Sequence, residues 1–228
     1  MIKDSIMEIK RLMLNPLCEN TYIVWDDTKE CVIIDAGALL ERENKMVADV
    51  IEEHGLRPVM AINTHGHFDH VGGVAFLKEN YGVKFACSSK DQFLLDASTS
   101  QGVMFGIQCN PVPAIDIDLD TVESVKFGNK ELRVLKTPGH TPGHVSLVSA
   151  ENKALFTGDT LFRESIGRTD LPGGDYSWIM RSIIDKLLPL GDEVKIYPGH
   201  GDESNIGHES MYNPFVVEVL NNEINYKN

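Results

Sequence analysis

The apolar positions of the chain fall mostly in short runs, and these runs predict strands. Runs of about four to eight residues that are rich in β-branched and aromatic side chains and bounded by turn residues are typical of strands. The predicted strands are Met7 to Leu14, Thr21 to Trp25, Cys31 to Ile34, Val59 to Asn63, Val83 to Cys87, Ser124 to Lys126, Leu132 to Leu135, Val145 to Ser149, Ala154 to Thr157 and Val194 to Tyr197. Both halves of the chain are therefore rich in β-structure.

Between these runs the apolar residues change to helical spacing. The predicted helices are Asn44 to His54, Val71 to Tyr81, a helix that begins over Asp91 to Asp96, and a helix that is capped by Asp175 or Ser177 and ends near Leu188. His54 then stands at a helix C-terminus, where a cation complements the helix dipole. After His200 we expect one short helix and a tail.

The stretch from Ala97 to Ile115 has the least regular pattern and holds two glycines and two prolines. One interpretation is a lid or a loop that faces a substrate. The other is a surface excursion that Met104 and Phe105 anchor in the core. The pattern alone leaves both open.

Composition and charge narrow the function. With 228 residues, 42% of them hydrophobic, the chain is long enough for one globular domain over residues 1–228. Its net charge of -13 disfavours nucleic acids and anionic membranes as partners. We see no secretory signal at the N-terminus and no apolar run of about 20 residues, the length of a membrane span.

The four cysteines form no Cys-x-x-Cys pair and match no zinc pattern. Cys31 and Cys87 stand in apolar, strand-like runs, where we expect buried free thiols. These features favour a reducing cytoplasm.

The candidate chemistry is concentrated between Thr64 and His70, which read Thr-His-Gly-His-Phe-Asp-His. His65, His67, Asp69 and His70 place three imidazoles and a carboxylate within six residues, a density typical of metal ligands. A strand precedes them and a helix follows, so they occupy a strand-to-helix turn. Such a turn can hold two neighbouring ions, with one pair of side chains facing each.

Three further residues complete a candidate ligand set. His140, Asp159 and His200 each follow a predicted strand and lie among glycine or proline residues. A single histidine in such a turn is usually just a turn residue, but the whole cluster changes those odds. Imidazole and carboxylate ligands without a thiolate are typical of catalytic zinc, iron or manganese.

Several other residues have weaker sequence signals for a role at the site. Asp35 ends a buried strand, where a carboxylate needs a partner. We expect it to hydrogen-bond either the histidine turn or a ligand imidazole. The alternative is a plain turn cap. His144 is predicted to be a structural histidine and His208 a surface residue. Arg168 and Asp170 are predicted to pair and pin their loop, the alternative being that Arg168 binds a substrate carboxylate.

These motifs resemble those of the metallo-β-lactamase-fold hydrolases, and most closely the short glyoxalase II-like (hydroxyacylglutathione hydrolase-like) proteins. The resemblance runs from about Asn20 to Phe215. It includes the ligand residues, Val32 to Gly37, Ile166 to Asp175 and Tyr197 to Gly201. The Gly-Arg-Thr-Asp-Leu-Pro-Gly-Gly stretch resembles a motif of the glyoxalase II and persulfide dioxygenase branch of this family. The implied fold is α+β, a four-layer αβ/βα sandwich of two mixed β-sheets with helices on the outer faces.

The resemblance also implies roles for the ligand residues. One ion would be bound by His65, His67 and His140, and a second by Asp69, His70 and His200. Asp159 would bridge the two, and Asp69 and Asp159 are the predicted catalytic carboxylates. The implied cofactors are two divalent metal ions, with zinc as first choice and iron or manganese as the others. A metal-bridging hydroxide would then cleave a thioester or related ester, a small-molecule substrate.

Other functions compete with this one. The strongest is a mononuclear iron dioxygenase acting on a persulfide, with His65, His140 and Asp159 as its facial triad. A nuclease is disfavoured by the acidity of the chain, and a β-lactamase by the absence of an export signal. A non-catalytic metal scaffold is disfavoured by a ligand set that leaves positions open. Metal content and substrate assays discriminate among these functions.

Overall fold

The computed structural model describes residues 6–226, with the side chains of residues 223–226 excepted. Two six-stranded mixed sheets form its centre. The first sheet contains, in spatial order, β1 (Glu8–Leu14), β2 (Glu19–Trp25), β3 (Glu30–Ile34), β4 (Arg57–Ile62), β5 (Lys84–Cys87) and β6 (Ile117–Asp118). The second contains β7 (Ser124–Phe127), β8 (Lys130–Lys136), β9 (Val145–Ser149), β10 (Ala154–Gly158), β13 (Lys195–Pro198) and β14 (Ser204–Asn205). A small separate sheet pairs β11 (Leu161–Phe162) with β12 (Ser165–Ile166).

Helices cover the outer faces of both sheets. They are α1 (Glu41–Glu53), α2 (Phe68–Val71), α3 (Val74–Tyr81), α4 (Gln92–Met104), α5 (Tyr176–Ser182), α6 (Ile206–Tyr212) and α7 (Pro214–Tyr226). The expected α+β sandwich of two mixed sheets with outer helices is thus confirmed. No helix within residues 6–226 is both long and apolar enough to cross a membrane.

The strand pleat explains why the sandwich has separate cores. Successive side chains of a strand point to opposite faces. On β3, for example, Val32 and Ile34 join the core between the two sheets, while Cys31 and Ile33 join the core under α1 and α3. On the second sheet, strands β9 and β10 divide in the same way between the central core and a third core that packs against α5, α6 and α7.

Two helices begin or end at residues other than the predicted ones. The helix predicted from Asn44 begins at Glu41, because the buried Glu43 carboxylate accepts hydrogen bonds from the backbone N–H groups of Leu39 and Leu40. The helix predicted from Val71 is divided into α2 and α3 at Gly72 and Gly73. The Gly73 N–H donates to the Ala36 carbonyl at 2.7 Å, which draws the chain towards the end of β3.

The stretch 97–115 was predicted as irregular, and that prediction is wrong for its first part. Helix α4 continues to Met104, and Gly106 ends it with φ of +72°. The Ile107 N–H donates to the Gly102 carbonyl and the Gly106 N–H donates to the Val103 carbonyl, which is the Schellman pattern of a helix end. The prediction that Met104 and Phe105 anchor this stretch in the core is also wrong, since Met104 is 85% exposed and Phe105 is 57% exposed.

The C-terminal helices, two helix ends and two cysteines were also predicted from the sequence. The part of the chain after His200 carries two helices, α6 and α7, and not one short helix. Asp175 caps α5 by accepting a hydrogen bond from the Trp178 N–H, but the α-helix ends at Ser182 and continues as a π-helical turn. His54 stands at the C-cap of α1 as expected. Cys31 and Cys87 are buried free thiols, as expected.

Five strands direct their carboxyl ends to one edge of the sandwich. Strands β3 and β4 are parallel, and so are β10 and β13. The segments that follow β3, β4, β8, β10 and β13 contain, in that order, Asp35, His65 to His70, His140, Asp159 and His200. The two sheets meet at this edge, where the Asn20 N–H of β2 donates to the Gly199 carbonyl at 2.7 Å.

We expect the central core to dominate stability. Phe156 is buried between the sheets and packs against the rings of Tyr22 at 5.4 Å and Tyr197 at 5.1 Å. Phe156→Ala should lower the free energy of unfolding by about 3–5 kcal/mol, through lost burial and the cavity left behind. Urea denaturation measures the change. Met46→Ala, on an exposed face of α1, is the control and should change it by less than about 0.5 kcal/mol. Equal effects of the two variants would contradict the assigned core.

Candidate metal centre

The turn after β4 is fixed by hydrogen bonds before any metal is considered. The His70 N–H donates to the His67 carbonyl at 3.0 Å, which starts α2. The Asn63 side-chain amide donates to the His70 carbonyl at 2.6 Å and closes the turn upon itself. Asp69 and His70 therefore lie on a rigid helical turn, directly after the extended segment that carries His65 and His67.

Three imidazoles meet on one side of this turn. His65, His67 and His140 each offer a nitrogen, and these nitrogens lie within 4.8 Å of one another. Nε2 of His140 lies 2.9 Å from Nδ1 of His67. His140 is 73 residues further along the chain than His67, so only the fold brings them together.

A second group lies on the other side. The ligand atoms of Asp69, His70 and His200 are also within 4.8 Å of one another. Nε2 of His200 lies 3.2 Å from Nε2 of His70 and 3.4 Å from Oδ2 of Asp69.

Asp159 lies between the two groups. Its Oδ2 atom is 3.5 Å from Nε2 of His140 and 3.6 Å from Nε2 of His200. Its Oδ1 atom is 3.5 Å from Nε2 of His70. The carboxylate therefore has one oxygen between histidines of both groups, which is the position that a bridging ligand requires.

Charge differs between the two groups. Burial, together with the neighbouring imidazoles, lowers the pKa of His65 well below its ordinary value and lowers the pKa of His67 to about 3. Both rings are neutral at pH 7. Burial acts in the same direction on His70 and His200, but the carboxylates of Asp159 and Asp69 outweigh it and raise the pKa of both histidines.

The carboxylate of Asp69 shows the reverse balance. Burial disfavours its charge, yet the imidazoles of His70 and His200 hold the pKa of Asp69 well below its usual range. Asp69 is therefore ionised at neutral pH. One group is thus made of imidazoles alone, and the other combines imidazoles with an anionic oxygen.

The donor atoms fit a pair of divalent cations. Nε2 of His65 and Oδ1 of Asp159 are buried and have no hydrogen-bond partner among the described residues. Leaving a buried polar atom unpaired costs free energy, and a bound cation would satisfy these atoms. Neutral imidazoles and carboxylates are also the ligands that zinc, iron and manganese take at catalytic sites.

Asp35 holds the histidine turn, as one of its predicted roles required, and it also lies beside a candidate ligand imidazole. Its carboxylate accepts hydrogen bonds from the N–H and the hydroxyl of Thr64, at 2.7 Å and 2.8 Å. Oδ2 also lies 3.2 Å from Nδ1 of His70. Asp35 therefore fixes the start of the histidine turn and orients one ring whose other nitrogen faces the cluster.

His144 is a structural residue, as predicted, and it acts on Asp159. Its Nε2 atom accepts a hydrogen bond from the Asp159 N–H at 3.0 Å, and its Nδ1 atom lies 3.0 Å from the hydroxyl groups of Thr137 and Thr160. His144 thus links the backbone of Asp159 to the end of β8.

Arg168 and Asp170 form the predicted pair, with two hydrogen bonds of 2.9 Å and 2.7 Å. The backbone of Arg168 has a role that was not predicted, since its carbonyl lies 2.7 Å from Nδ1 of His140. This contact leaves Nε2 of His140 directed at the cluster. His208 is partly exposed and pairs with Glu164, away from the seven candidate ligands.

Two buried carboxyl groups were missed. Asp91 is fully buried beside the His65–His67 turn, and its carboxylate accepts a hydrogen bond from the Gly66 N–H at 3.0 Å. Glu19 is fully buried beneath the second group, within 4.8 Å of ligand atoms of Asp35 and His70. Burial raises the pKa of Glu19 well above its ordinary value. Neither residue stands in a recognisable motif, so the sequence held no signal for them.

Glycine is required where the chain approaches the cluster closely. A Cβ atom at Gly199 would overlap Oδ1 of Asp159, and one at Gly167 would overlap the Asp159 carbonyl. The glycines around His200 and Arg168 thus allow the loops of the second sheet to close around Asp159.

Comparison with known proteins identifies the family of the chain. The profile of the metallo-beta-lactamase superfamily matches residues 15–200. The chain is 39% identical over 217 residues to hydroxyacylglutathione hydrolase GloC of Haemophilus influenzae, covering 92% of this chain and 98% of that protein. It is 34% identical over 212 residues to the probable metallo-hydrolase YqgX of Bacillus subtilis, covering 92% of this chain and 98% of that protein.

Solved structures share the fold. The BLEG-1 B3 metallo-beta-lactamase is similar with a TM-score of 0.85 and 33% identity, covering 92% of this chain and 99% of that one. TTHA1623, crystallised in a di-iron-bound form, is similar with a TM-score of 0.80 and 35% identity, covering 90% of this chain and 99% of that one. By its sequence, its two mixed sheets and its cluster of histidines and aspartates, the chain belongs to the metallo-beta-lactamase superfamily.

Proposed function

We propose that this chain is a binuclear metal hydrolase of the glyoxalase II-like type, which cleaves a thioester or a related ester. The observation that carries the proposal is the convergence of seven imidazoles and carboxylates, six of them buried, at one edge of the sandwich, with Asp159 between two groups of three. The similarity to a hydroxyacylglutathione hydrolase supports the thioester. We propose the cytoplasm as its compartment, because the four cysteines are unpaired.

The ligand roles follow from the two groups. His65, His67 and His140 would hold one ion, Asp69, His70 and His200 a second, and Asp159 would contact both. When bound, the two ions supply Lewis acidity that makes water a nucleophile near neutral pH. We propose zinc for both positions, and the di-iron form of TTHA1623 makes iron the alternative to test.

The exposure of the candidate ligands indicates which side of the centre a substrate can reach. His65 and His70 are fully buried, whereas His67, Asp69 and Asp159 keep between 7% and 9% of their surface exposed and the His200 side chain is 26% exposed. The open side of the centre is therefore the side of these four residues. The ionised Asp69 can there accept a hydrogen bond from an attacking water and orient it.

We propose that the exposed side chains of Met104 and Phe105 form an apolar wall beside this open side. The Phe105 ring packs against the ring of Phe68 at 5.3 Å, and Phe68 lies between His67 and Asp69 in the chain. The Schellman turn holds the backbone of both wall residues in place while their side chains remain exposed. We propose that the wall binds the apolar part of the substrate, its acyl chain.

Removing a proposed ligand should abolish turnover without unfolding the chain. His67→Ala and Asp159→Ala should each lower kcat/KM for thioester hydrolysis by at least about 10²-fold, because a group that positions or stabilises charge is lost. Metal content should fall in parallel, with circular dichroism unchanged. His208→Ala replaces a histidine outside the cluster and should retain full activity. Wild-type rates in either ligand variant would exclude this mechanism.

Metal exchange separates the hydrolase from its strongest rival. We expect chelation to abolish thioester hydrolysis and two equivalents of zinc per chain to restore it. The measurement combines metal quantification with assays of thioesters and of a glutathione persulfide. One iron per chain, with oxygen uptake on the persulfide and no thioester cleavage, would replace the hydrolase with a dioxygenase.

The apolar wall predicts a preference for longer acyl chains. Phe105→Ala should lower kcat/KM for a hexanoyl thioester by about 10-fold, since apolar contacts of a few methylene groups are lost. The rate for the corresponding acetyl thioester should change little, because its acyl group is too short to use the wall. Met46→Ala serves as the control on a distant exposed face. An equal loss for both substrates would show that Phe105 acts on the site itself and not on acyl selection.

A further inference from the structure

We propose that Asp91 is a positioning residue that holds the two loops of the imidazole group at the spacing a metal ion needs. This inference rests on the proposed metal centre. Oδ2 of Asp91 accepts hydrogen bonds from the Gly66 N–H at 3.0 Å and from the Thr141 hydroxyl at 2.7 Å, and Oδ1 accepts one from the Gly143 N–H at 2.7 Å.

These three donors lie on both ligand loops. Gly66 separates His65 from His67, and Thr141 and Gly143 follow His140. One carboxylate thus links loops that are 25 and 50 residues away from it in the chain. His67 and His140 lie in loops that follow strands of different sheets, β4 and β8, so the link through Asp91 helps to set the 2.9 Å separation of their nitrogens.

Two glycines fit closely against the same side chain. A Cβ atom at Gly66 would lie 3.0 Å from Cβ of Asp91, and one at Gly143 would lie 2.6 Å from its Oδ1. The first distance is tighter than most real Cβ contacts, and the second is shorter than real Cβ contacts allow. The glycine N–H groups can reach the carboxylate only because glycine has no side chain.

Asp91 itself is held firmly. It closes the 3-10 turn Ser89–Asp91 directly before α4, and its N–H donates to the Ser88 carbonyl at 3.1 Å. The side chain is fully buried, where a carboxylate is costly unless its oxygens are hydrogen-bonded. Charge-assisted hydrogen bonds of this kind fix geometry strongly. The structure therefore offers a rigid acceptor between the two loops.

Asp91→Asn tests the role, because an amide cannot accept hydrogen bonds from donors on both sides. Zinc affinity is measured on metal-free protein by competition with a chromophoric chelator, and the apo stability by urea denaturation. We expect the zinc dissociation constant to rise by about 10–100-fold, the range found when a partner of a metal ligand is lost. The absorption spectrum of the cobalt-substituted protein should also change, because the imidazole geometry changes.

Asp26→Asn is the matched control. Asp26 is a buried carboxylate that accepts hydrogen bonds from the N–H groups of Thr28 and Asn129, at 3.0 Å and 2.7 Å, and so also links two loops. It follows the opposite end of β2 from Glu19, about 20 Å along the strand from the metal centre. Asp26→Asn should lower the urea midpoint but leave zinc affinity and the cobalt spectrum at wild-type values.

Thr141 provides a milder pair of variants should Asp91→Asn fail to fold. Thr141→Val removes one donor to Asp91 and should weaken zinc binding, whereas Thr141→Ser retains the hydroxyl and should restore it. Wild-type zinc affinity in Asp91→Asn, or in Thr141→Val if the former does not fold, would overturn the positioning role while leaving the metal centre intact. A wild-type chain that binds no zinc would overturn the proposed function and this inference together.

Discussion

The structure depends on one electrostatic constraint: imidazoles and carboxylates are buried together with their lone pairs directed at a common space. Nε2 of His140 faces Nδ1 of His67, and Nε2 of His70 faces Nε2 of His200, at distances of 2.9 Å and 3.2 Å. Such pairs are favourable only when a proton or a cation lies between the lone pairs. The surrounding hydrogen bonds prevent the rings from turning away, so the chain keeps a geometry that a bound cation would stabilise.

The two sheets make this geometry possible because their carboxyl ends meet at one edge. The Val145 N–H of the second sheet donates to the Thr64 carbonyl at 2.8 Å, and the Tyr22 hydroxyl of the first sheet donates to the Pro198 carbonyl at 2.7 Å. Each of these contacts lies next to a loop that carries candidate ligands. Packing of the central core thereby sets the distances within the metal centre.

The local part of this arrangement could be predicted from the sequence, and the cooperative part could not. The seven candidate ligands were found because histidine and aspartate stand out among the glycines and prolines of strand ends, and the fold followed from strand pattern and family resemblance. Asp91 was assigned only to the beginning of a helix, since its partners, two backbone N–H groups and one hydroxyl, are 25 to 52 residues away. Glu19 precedes the strand predicted from Thr21, and nothing in its neighbours reveals that its carboxyl group is buried. The helix over residues 97–104 was missed because its glycine and serine residues weaken the helical pattern.

The two halves of the centre would attract a cation through different interactions. The second half is rich in acid: Asp69, Asp159, Asp35 and Glu19 all lie around His70, and the first three raise the pKa of that imidazole. Attraction of a cation there follows from charge. The first half offers three imidazoles and, among its candidate ligands, only the carboxylate of Asp159 at its edge, so its attraction for a cation depends on the exact placement of the imidazole nitrogens. At this half, hydrogen-bonded supports provide that placement: the Arg168 carbonyl orients His140, and the Asp91 carboxylate holds the two ligand loops together.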